Sequence, residues 1–441
     1  MTPKQDIKAL YHTFGCKLNF AETSAVARLF EDRGVRRAGE GEAPDIIVVN
    51  TCSVTEEADR KCRRAIRSFH NNYPEATIIV TGCYAQLKPA EAASLPGVAV
   101  VAGVNSKLDI LRFLDSWSSQ PCDGRTTTVD VPDAKDLREF MPSCSRGDRT
   151  RYFLKVQDGC DYWCTYCTIP KARGRSRSGT IEQLVEQARQ AASEGGREIV
   201  ITGVNIGDFG KGRSDSFLDL CRALDTEVEG IERYRISSIE PNLLTDGLIE
   251  FVAGSRHFMP HFHVPLQSGS DEVLRLMRRR YDTALFAHKM SLIKECMPHA
   301  FIGVDLIAGP RGETEELFLR GRDFIESLPV THLHVFPYSE RPGTKALEIP
   351  HVVSQADKHR RLAEISAISA RKHAGFARSF TGTVRKVLLE HPRKDKPMSG
   401  FTDNYLKIQV EAPACLDNCI VDVRLDRLLD DNETLSGTLM R

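Results

Sequence analysis

The sequence predicts an α/β protein of three domains in series: a doubly wound parallel domain, a partial (β/α)6 barrel and a small all-β barrel. Three observations carry this reading. The chain has 441 residues, and at roughly 150 residues per domain that length suggests about three. Short β-branched runs alternate with helical segments in two separate regions, as in parallel sheets covered on both faces. Beyond residue 379 the helical pattern stops and only short strand-like segments follow.

The first domain is placed at residues 1–118. Residues 8–13 read as a strand, followed by a Phe14-Gly15-Cys16 turn and a helix from about Asn19. DIIVVN (45–50) and TIIVT (77–81) are short buried strands, with a helix at 56–70 between them. Residues 119–148 read as a linker, because serines, three consecutive threonines, Pro121, Pro132 and Pro142 leave little apolar periodicity. Cys122 and Cys144 are read as incidental there.

The second α/β region, with a trailing helix, is placed at 149–378. Its expected strands are 152–157, 198–202, 234–238, 262–265, 301–308 and 331–336, most of them separated by helical patterns. Six units point to a partial barrel rather than the closed eight-unit form. A helix at 355–374 follows, with Leu362, Ile365 and Ile368 on its inner face. Residues 379–441 form the all-β module, with strands expected at 383–390, 405–410 and 419–425. His12, His261, His263, His332 and His334 lie on or beside strands and read as structural.

Composition excludes several classes. Hydrophobic residues make up 41% and charged residues 27%, which fits a folded globular chain and not a disordered or collagenous one. No apolar run reaches the length of a membrane helix, and MTPKQDIKAL lacks the apolar core of a signal peptide. No membrane partner is therefore expected, and a cytoplasmic monomer is. Sixty Lys and Arg balance sixty Asp and Glu, so no global charge announces nucleic acid. Two basic runs stand out locally, Lys171–Arg177 and Arg278-Arg279-Arg280.

Thirteen cysteines in a chain with no sign of export point to metal, cluster or nucleophilic chemistry rather than disulfides. Cys160, Cys164 and Cys167 form C-x3-C-x2-C just after the first strand of the barrel. Thiolates select zinc or iron–sulfur clusters, and three ligands on a four-site centre leave one position open. Structural zinc normally wants two cysteine pairs, and no second pair stands close by. A second trio, Cys16, Cys52 and Cys83, ends three successive strands of the first domain. The C-terminal ends of parallel strands open on one edge, where ligands bind, so these three read as a second ligand set.

CDYWCTYC resembles the cysteine motif of the radical S-adenosylmethionine (SAM) superfamily. TFGCKLN (13–19), NTCSVT (50–55), TGCYAQ (81–86) and RGRSRS (173–178) together resemble the methylthiotransferase family, and the terminal module resembles a TRAM RNA-binding barrel through GFTDNY (400–405). The likeness spans essentially the whole chain. Within the family, GCKLN and ARGRSRS are most similar to the bacterial enzymes that act on N6-threonylcarbamoyladenosine of tRNA.

The resemblance implies two 4Fe-4S clusters. Cys160, Cys164 and Cys167 would hold the one that binds SAM, which splits to methionine and a 5′-deoxyadenosyl radical. Cys16, Cys52 and Cys83 would hold an auxiliary one, carrying the sulfur that is inserted and then methylated by a second SAM. Radical chemistry suits the target, since the adenine C2–H is neither acidic nor activated, and no catalytic residue beyond the cofactors is expected. The implied partners are tRNA, a one-electron donor and a sulfur source.

SAM contacts are expected at the C-terminal ends of barrel strands, from Gly203, Asn205, Ser238, Glu240, Gln267 and Asp305. A threonylcarbamoyl group carries a carboxylate, so a cation should meet it, with Arg173, Arg175 and Arg177 as candidates. Phe401 and Tyr405 are the candidates for stacking on bases, in a terminal module whose nine Lys and Arg against ten Asp and Glu give no electrostatic footprint. The alternatives are the same chemistry on isopentenyladenosine of tRNA or on a ribosomal-protein aspartate, and a non-enzymatic iron–sulfur or zinc protein that binds RNA.

Overall fold

The structure is a computed structural model that describes residues 6–105, 107–116, 128–145, 150–393 and 395–440. The N-terminal sheet is parallel throughout, in the order β2-β1-β3-β4-β5-β6. Its strands are β1 (Lys8–Thr13), β2 (Arg36–Arg37), β3 (Ile46–Thr51), β4 (Thr77–Gly82), β5 (Val98–Ala102) and β6 (Thr128–Asp130). IIVVNT and TIIVTG are buried at every position because helices cover both faces. Among those helices are α1 (Lys17–Glu31) and α2 (Glu56–Asn72). Thr55 caps α2 by accepting from the Ala58 amide, and three acids occupy its first turn, both favourable at a helix N-terminus.

The expected linker at 119–148 needs correction. Residues 128–130 form β6, parallel to β5, and β7 (Ser143–Cys144) pairs antiparallel with the first barrel strand. Each half of the stretch is thus stitched into a different sheet. Cys144 is buried in β7, whereas Cys122 lies outside the described residues.

The barrel strands are β8 (Arg151–Lys155), β9 (Gln157–Asp158), β10 (Arg177–Ser178), β11 (Glu198–Thr202), β12 (Arg233–Ile236), β13 (His261–His263), β14 (Phe301–Ala308) and β15 (His332–Pro337). Two parallel ladders, β12-β11-β8 and β13-β14-β15, meet through single bridges such as Ser238 to His263. Alternation sets the two faces of this open barrel. Tyr152, Leu154, Ile199, Ile201, Tyr234, Ile236, Phe262, Ile302, Val304 and Leu333 face outward into the main core. The other set faces inward and is largely polar. Helix α1 of the first domain lies against that inner face, where Phe20 and Ala21 pack on Phe153 and Val200.

The long helix Gln355–Arg378 leads into a closed barrel of β16 (Val384–Leu389), β17 (Met398–Thr402), β18 (Lys407–Val410), β19 (Ile420–Leu428) and β20 (Thr434–Leu439). This module seals the N-terminal end of the large barrel. Arg233 donates to the Phe401 and Lys386 carbonyls, and Arg235 to those of Thr402 and Asp403, at 2.7–3.1 Å. Glu198, fully buried, accepts from Arg235 at 2.8 Å and neutralises part of this charge.

Candidate functional site

The loop after β9 carries Cys160, Cys164 and Cys167, and two backbone amides are already aimed at its sulfurs. Tyr162 N–H donates to Cys160 Sγ and Ile169 N–H to Cys167 Sγ, each at 3.4 Å. The buried Arg279 donates to Cys164 Sγ at 3.2 Å. Donors gathered on all three sulfurs suit thiolates, which accept strongly when charged. Burial pushes the Cys160 and Cys167 thiols up to about 12, so binding a cationic centre here releases protons. Trp163 takes a left-handed backbone (φ 52°) and stands 55% exposed in the same loop.

Among the described residues, no three His, Cys, Asp or Glu side chains converge on a point tightly enough to share one metal ion. A four-iron cluster takes each thiolate on a separate iron, so its ligands do not converge on a single atom. The donor set, three cysteines with hydrogen-bonded sulfurs, fits such a cluster.

The expected SAM residues gather around this loop at the strand ends. A Cβ on Gly203 would meet the Gln157 carbonyl at 2.8 Å, so only glycine fits. Asn205 is buried, and among the described residues both its side-chain amide atoms are unpartnered, which marks it as a group awaiting a ligand. Glu240 is paired with Arg279, and burial raises its pKa against that cation. Asp305 accepts from His263 at 2.8 Å. Ser238 bridges to the His263 strand and Gln267 to the Leu306 strand.

The second trio forms where strand register puts it. Thr13 pairs with Asn50, and Asn50 with Thr81, so Cys16, Cys52 and Cys83 follow three neighbouring strand ends. A Cβ on Gly15 would strike Cys52 Cβ at 2.8 Å, and Gly15 has φ 94°; this glycine lets the first turn close onto the second cysteine. Burial pushes the Cys83 thiol up to about 12, and the Cys52 and Cys16 thiols lie near enough to act on it. Cys62 on α2 is also buried and donates to the Cys52 carbonyl at 3.6 Å, a neighbour that spacing alone did not place here.

Arg173 lies between the two trios. It donates to Glu22 and Asn19 of α1 at 2.7–3.1 Å and to Asp158, two residues before Cys160, at 3.0 Å. It also lies against Cys83, where it opposes the effect of burial. Lys155 pairs with both Glu22 (2.7 Å) and Asp158 (2.8 Å), and Arg177 with Asp158 at 3.0 Å. Burial would raise the Asp158 pKa, but these three cations hold it far below the usual carboxylate range.

This placement corrects the expectation for the basic run. Arg173 is 1% exposed and Arg177 has its guanidinium bonded to Asp158, Asn105 and three carbonyls. Arg177 has all five donors engaged, and Arg173 is sealed among Glu22, Asn19, Asp158 and Cys83. Arg175 is exposed and shares an open groove of about 590 Å³ with Lys135 and Arg138. Phe401 and Tyr405 are also corrected. They stack on each other at 4.9 Å, Arg151 lies 4.5 Å over Phe401 and donates to the Tyr405 hydroxyl at 3.0 Å. Both rings thus face the floor of the large barrel, where they are not free to stack on bases.

The histidines read as structural form a wall instead. His261, His263, His332 and His334 line a cavity of about 340 Å³ with Lys17 and Tyr405. Their spacing held the signal: His-x-His on β13 and again on β15 puts each pair on one face of its strand. His12, packed against Phe14 and Phe69, keeps the expected role, and His263 and His332 are also satisfied, by Asp305 and Ser369.

Residues 8–103 match the model of the uncharacterized protein family UPF0004, and residues 154–325 that of the radical SAM superfamily. The chain is 37% identical over 422 residues to the threonylcarbamoyladenosine tRNA methylthiotransferase MtaB of Bacillus subtilis (strain 168), covering 94% of this chain and 93% of that one. It is 32% identical to the protein of the same name from Aquifex aeolicus (strain VF5), covering 92% and 97%. A tRNA-2-methylthio-N(6)-dimethylallyladenosine synthase from Syntrophobacter fumaroxidans is 33% identical, covering 94% and 92%. In fold, the chain resembles the radical SAM methyltransferase TsrM of Kitasatospora setae, with a TM-score of 0.55, 15% identity and coverage of 78% and 77%.

Proposed function

The chain belongs to the radical SAM tRNA methylthiotransferase family, and on that premise we propose that it converts N6-threonylcarbamoyladenosine at position 37 of tRNA to its 2-methylthio derivative. The observation that carries this reading is the pair of cysteine trios on two domains, tied together by one buried arginine. Insertion of sulfur into an unactivated C–H needs a radical source and a sulfur source held at fixed separation.

Cys160, Cys164 and Cys167 hold the SAM-binding 4Fe-4S cluster, and Cys16, Cys52 and Cys83 the auxiliary one. When bound, SAM and the clusters supply the radical, the sulfur and the methyl group. The chain supplies placement. Arg279 offsets charge at Cys164 and orients Glu240. Gly203 and Asn205 present a glycine backbone and an unpartnered amide beside the cluster loop. The terminal barrel closes the floor through Arg151, Arg233 and Arg235, which excludes water from the interior. Arg175, Lys135 and Arg138 offer charge to tRNA phosphates. A one-electron donor and a sulfur donor complete the cycle, in the cytoplasm, where tRNA is modified. Among the described residues no helix is long and apolar enough to cross a membrane.

The polar, cation-bearing interior favours the threonylcarbamoyl substrate over the apolar dimethylallyl one. The test offers the anaerobically reconstituted enzyme both modified tRNAs and measures methylthio nucleosides by mass spectrometry. Product on the threonylcarbamoyl tRNA is expected. Product only on the dimethylallyl tRNA would overturn the substrate while leaving the reaction class standing.

A further inference from the structure

The histidine-lined cavity lies on the inner face of the barrel, between β13–β15 and the terminal module, and nothing above uses it. Its volume, about 340 Å³, falls within the range of roughly 300–1,000 Å³ typical of small-ligand sites. Lys17 reaches it from the first turn of α1, one residue after Cys16. Among the described residues the Lys17 amine has no ion-pair partner within bonding distance; burial lowers its pKa, and Tyr405 and then Asp305, which His263 already engages at 2.8 Å, act the other way to keep it charged.

The rest of the wall combines engaged and open hydrogen-bonding groups: His332 Nδ1 lies 3.4 Å from Ser369 Oγ and the Tyr405 hydroxyl accepts from Arg151. Among the described residues His261 Nδ1 is buried without a partner, a costly arrangement unless a ligand completes it. A histidine that donates its Nε2–H to Asp305 leaves Nδ1 of His263 as an acceptor. Burial lowers the pKa of His261 and His334, and that of His332 to about 4, which favours the neutral rings; with Nδ1 of His332 beside Ser369, that ring has its Nε2 left to offer. Lys407 and Glu433, also on the wall, contribute one charge of each sign. The cavity therefore has the Lys17 amine in its interior, Lys407 and Glu433 at its exposed side, and imidazole donors and acceptors between them.

We infer that this cavity receives the threonylcarbamoyl arm of the substrate adenosine, with Lys17 meeting its carboxylate and the histidine wall hydrogen-bonding its urea and hydroxyl groups. The inference rests on the substrate reading above and assigns that substrate's recognition to specific residues. It moves the carboxylate partner from Arg173 and Arg177, which are engaged elsewhere, to the first turn of α1. An apolar arm would leave the Lys17 amine and the buried His261 Nδ1 without partners, so the same wall rejects it.

The experiment uses the reconstituted full-length enzyme and three anticodon stem-loop RNAs, carrying threonylcarbamoyladenosine, isopentenyladenosine or plain adenosine. Binding is read by fluorescence anisotropy and product by mass spectrometry. Lys17→Met and His334→Phe should each cut the preference for the threonylcarbamoyl RNA over the plain one by about tenfold or more, and Lys17→Arg should keep most of it. Iron per chain is measured for every variant. If Lys17→Met loses iron through its neighbour Cys16, His334→Phe decides, since β15 carries no cysteine. An unchanged preference in His334→Phe and in an iron-replete Lys17→Met would overturn the assignment of the cavity while leaving the substrate standing. Product from the wild type only on the isopentenyl RNA would overturn the substrate reading, and this inference with it.

Discussion

Arg279 shows how much one side chain does when buried with its partners chosen. Its guanidinium donates to Cys164 Sγ at 3.2 Å and to the Tyr281 hydroxyl at 2.9 Å, and it pairs with Glu240. Replacing it with methionine removes the only charged donor on that sulfur among the described residues and strands Glu240, whose pKa burial already raises. A buried acid that loses its cation costs about 3–5 kcal/mol or takes up a proton. Arg279→Met should therefore weaken SAM binding tenfold or more and lower iron in this trio, with Arg279→Lys between; calorimetry with SAM and iron analysis check both. Wild-type SAM affinity in the methionine variant would reduce Arg279 to a packing role. In sequence Arg278-Arg279-Arg280 is legible only as a basic run. What turns Arg279 inward is the left-handed backbone of Arg278 (φ 57°) just after the helix Asp271–Leu276. No glycine marks that position, so the turn left no local signal.

At the scale of elements, strand ends set the chemistry. The buried runs IIVVNT and TIIVTG were readable because they are apolar on both faces, and each delivers a cysteine at its C-terminal end. Two full clusters mean about eight irons per chain. Replacing Cys160, Cys164 and Cys167 with alanine should remove about half the iron and all SAM cleavage. Replacing Cys16, Cys52 and Cys83 should remove the other half while SAM cleavage stays measurable. Full iron in either triple variant would refute that ligand set. Cys221 and Cys296 are the proper controls, since Cys62 sits against the Cys52 carbonyl. Strands β17 and β20 escaped sequence reading because MSGFT and TLSGTL carry glycine and little β-branching; pairing across the closed barrel holds them instead. The histidine pairs were legible as alternation. That they face a cavity depends on where the terminal barrel docks, which no local pattern encodes.

Across the whole molecule, the first domain meets the large barrel through a buried cluster of three cations and two acids: Lys155, Arg173, Arg177, Glu22 and Asp158. Buried ion pairs of this kind contribute little net stability and act through geometry, since breaking one leaves charge without a partner. Here the geometry set is the separation of the two trios. Asp158 precedes Cys160 by two residues, Glu22 lies on the helix that starts at Cys16, and Arg173 joins them while touching Cys83. Arg173 is therefore a positioning residue, and its loss should uncouple the two half-reactions instead of stopping both. Arg173→Met leaves all six cysteines in place, so iron per chain should stay near the wild-type value. SAM cleavage to 5′-deoxyadenosine should continue, because the cysteine loop keeps its own amide and Arg279 donors. Methylthio product should fall at least tenfold, a loss comparable to that expected for ångström-scale misplacement of reacting groups. The diagnostic quantity is 5′-deoxyadenosine formed per methylthio product, measured by mass spectrometry on one reaction mixture. Arg173→Lys, which keeps the charge but not the fork that spans Glu22 and Asp158, should raise that ratio by a smaller factor. A ratio equal to wild type in Arg173→Met, with iron intact, would mean that the domains keep their register without the arginine and that its place between the trios has no part in coupling them.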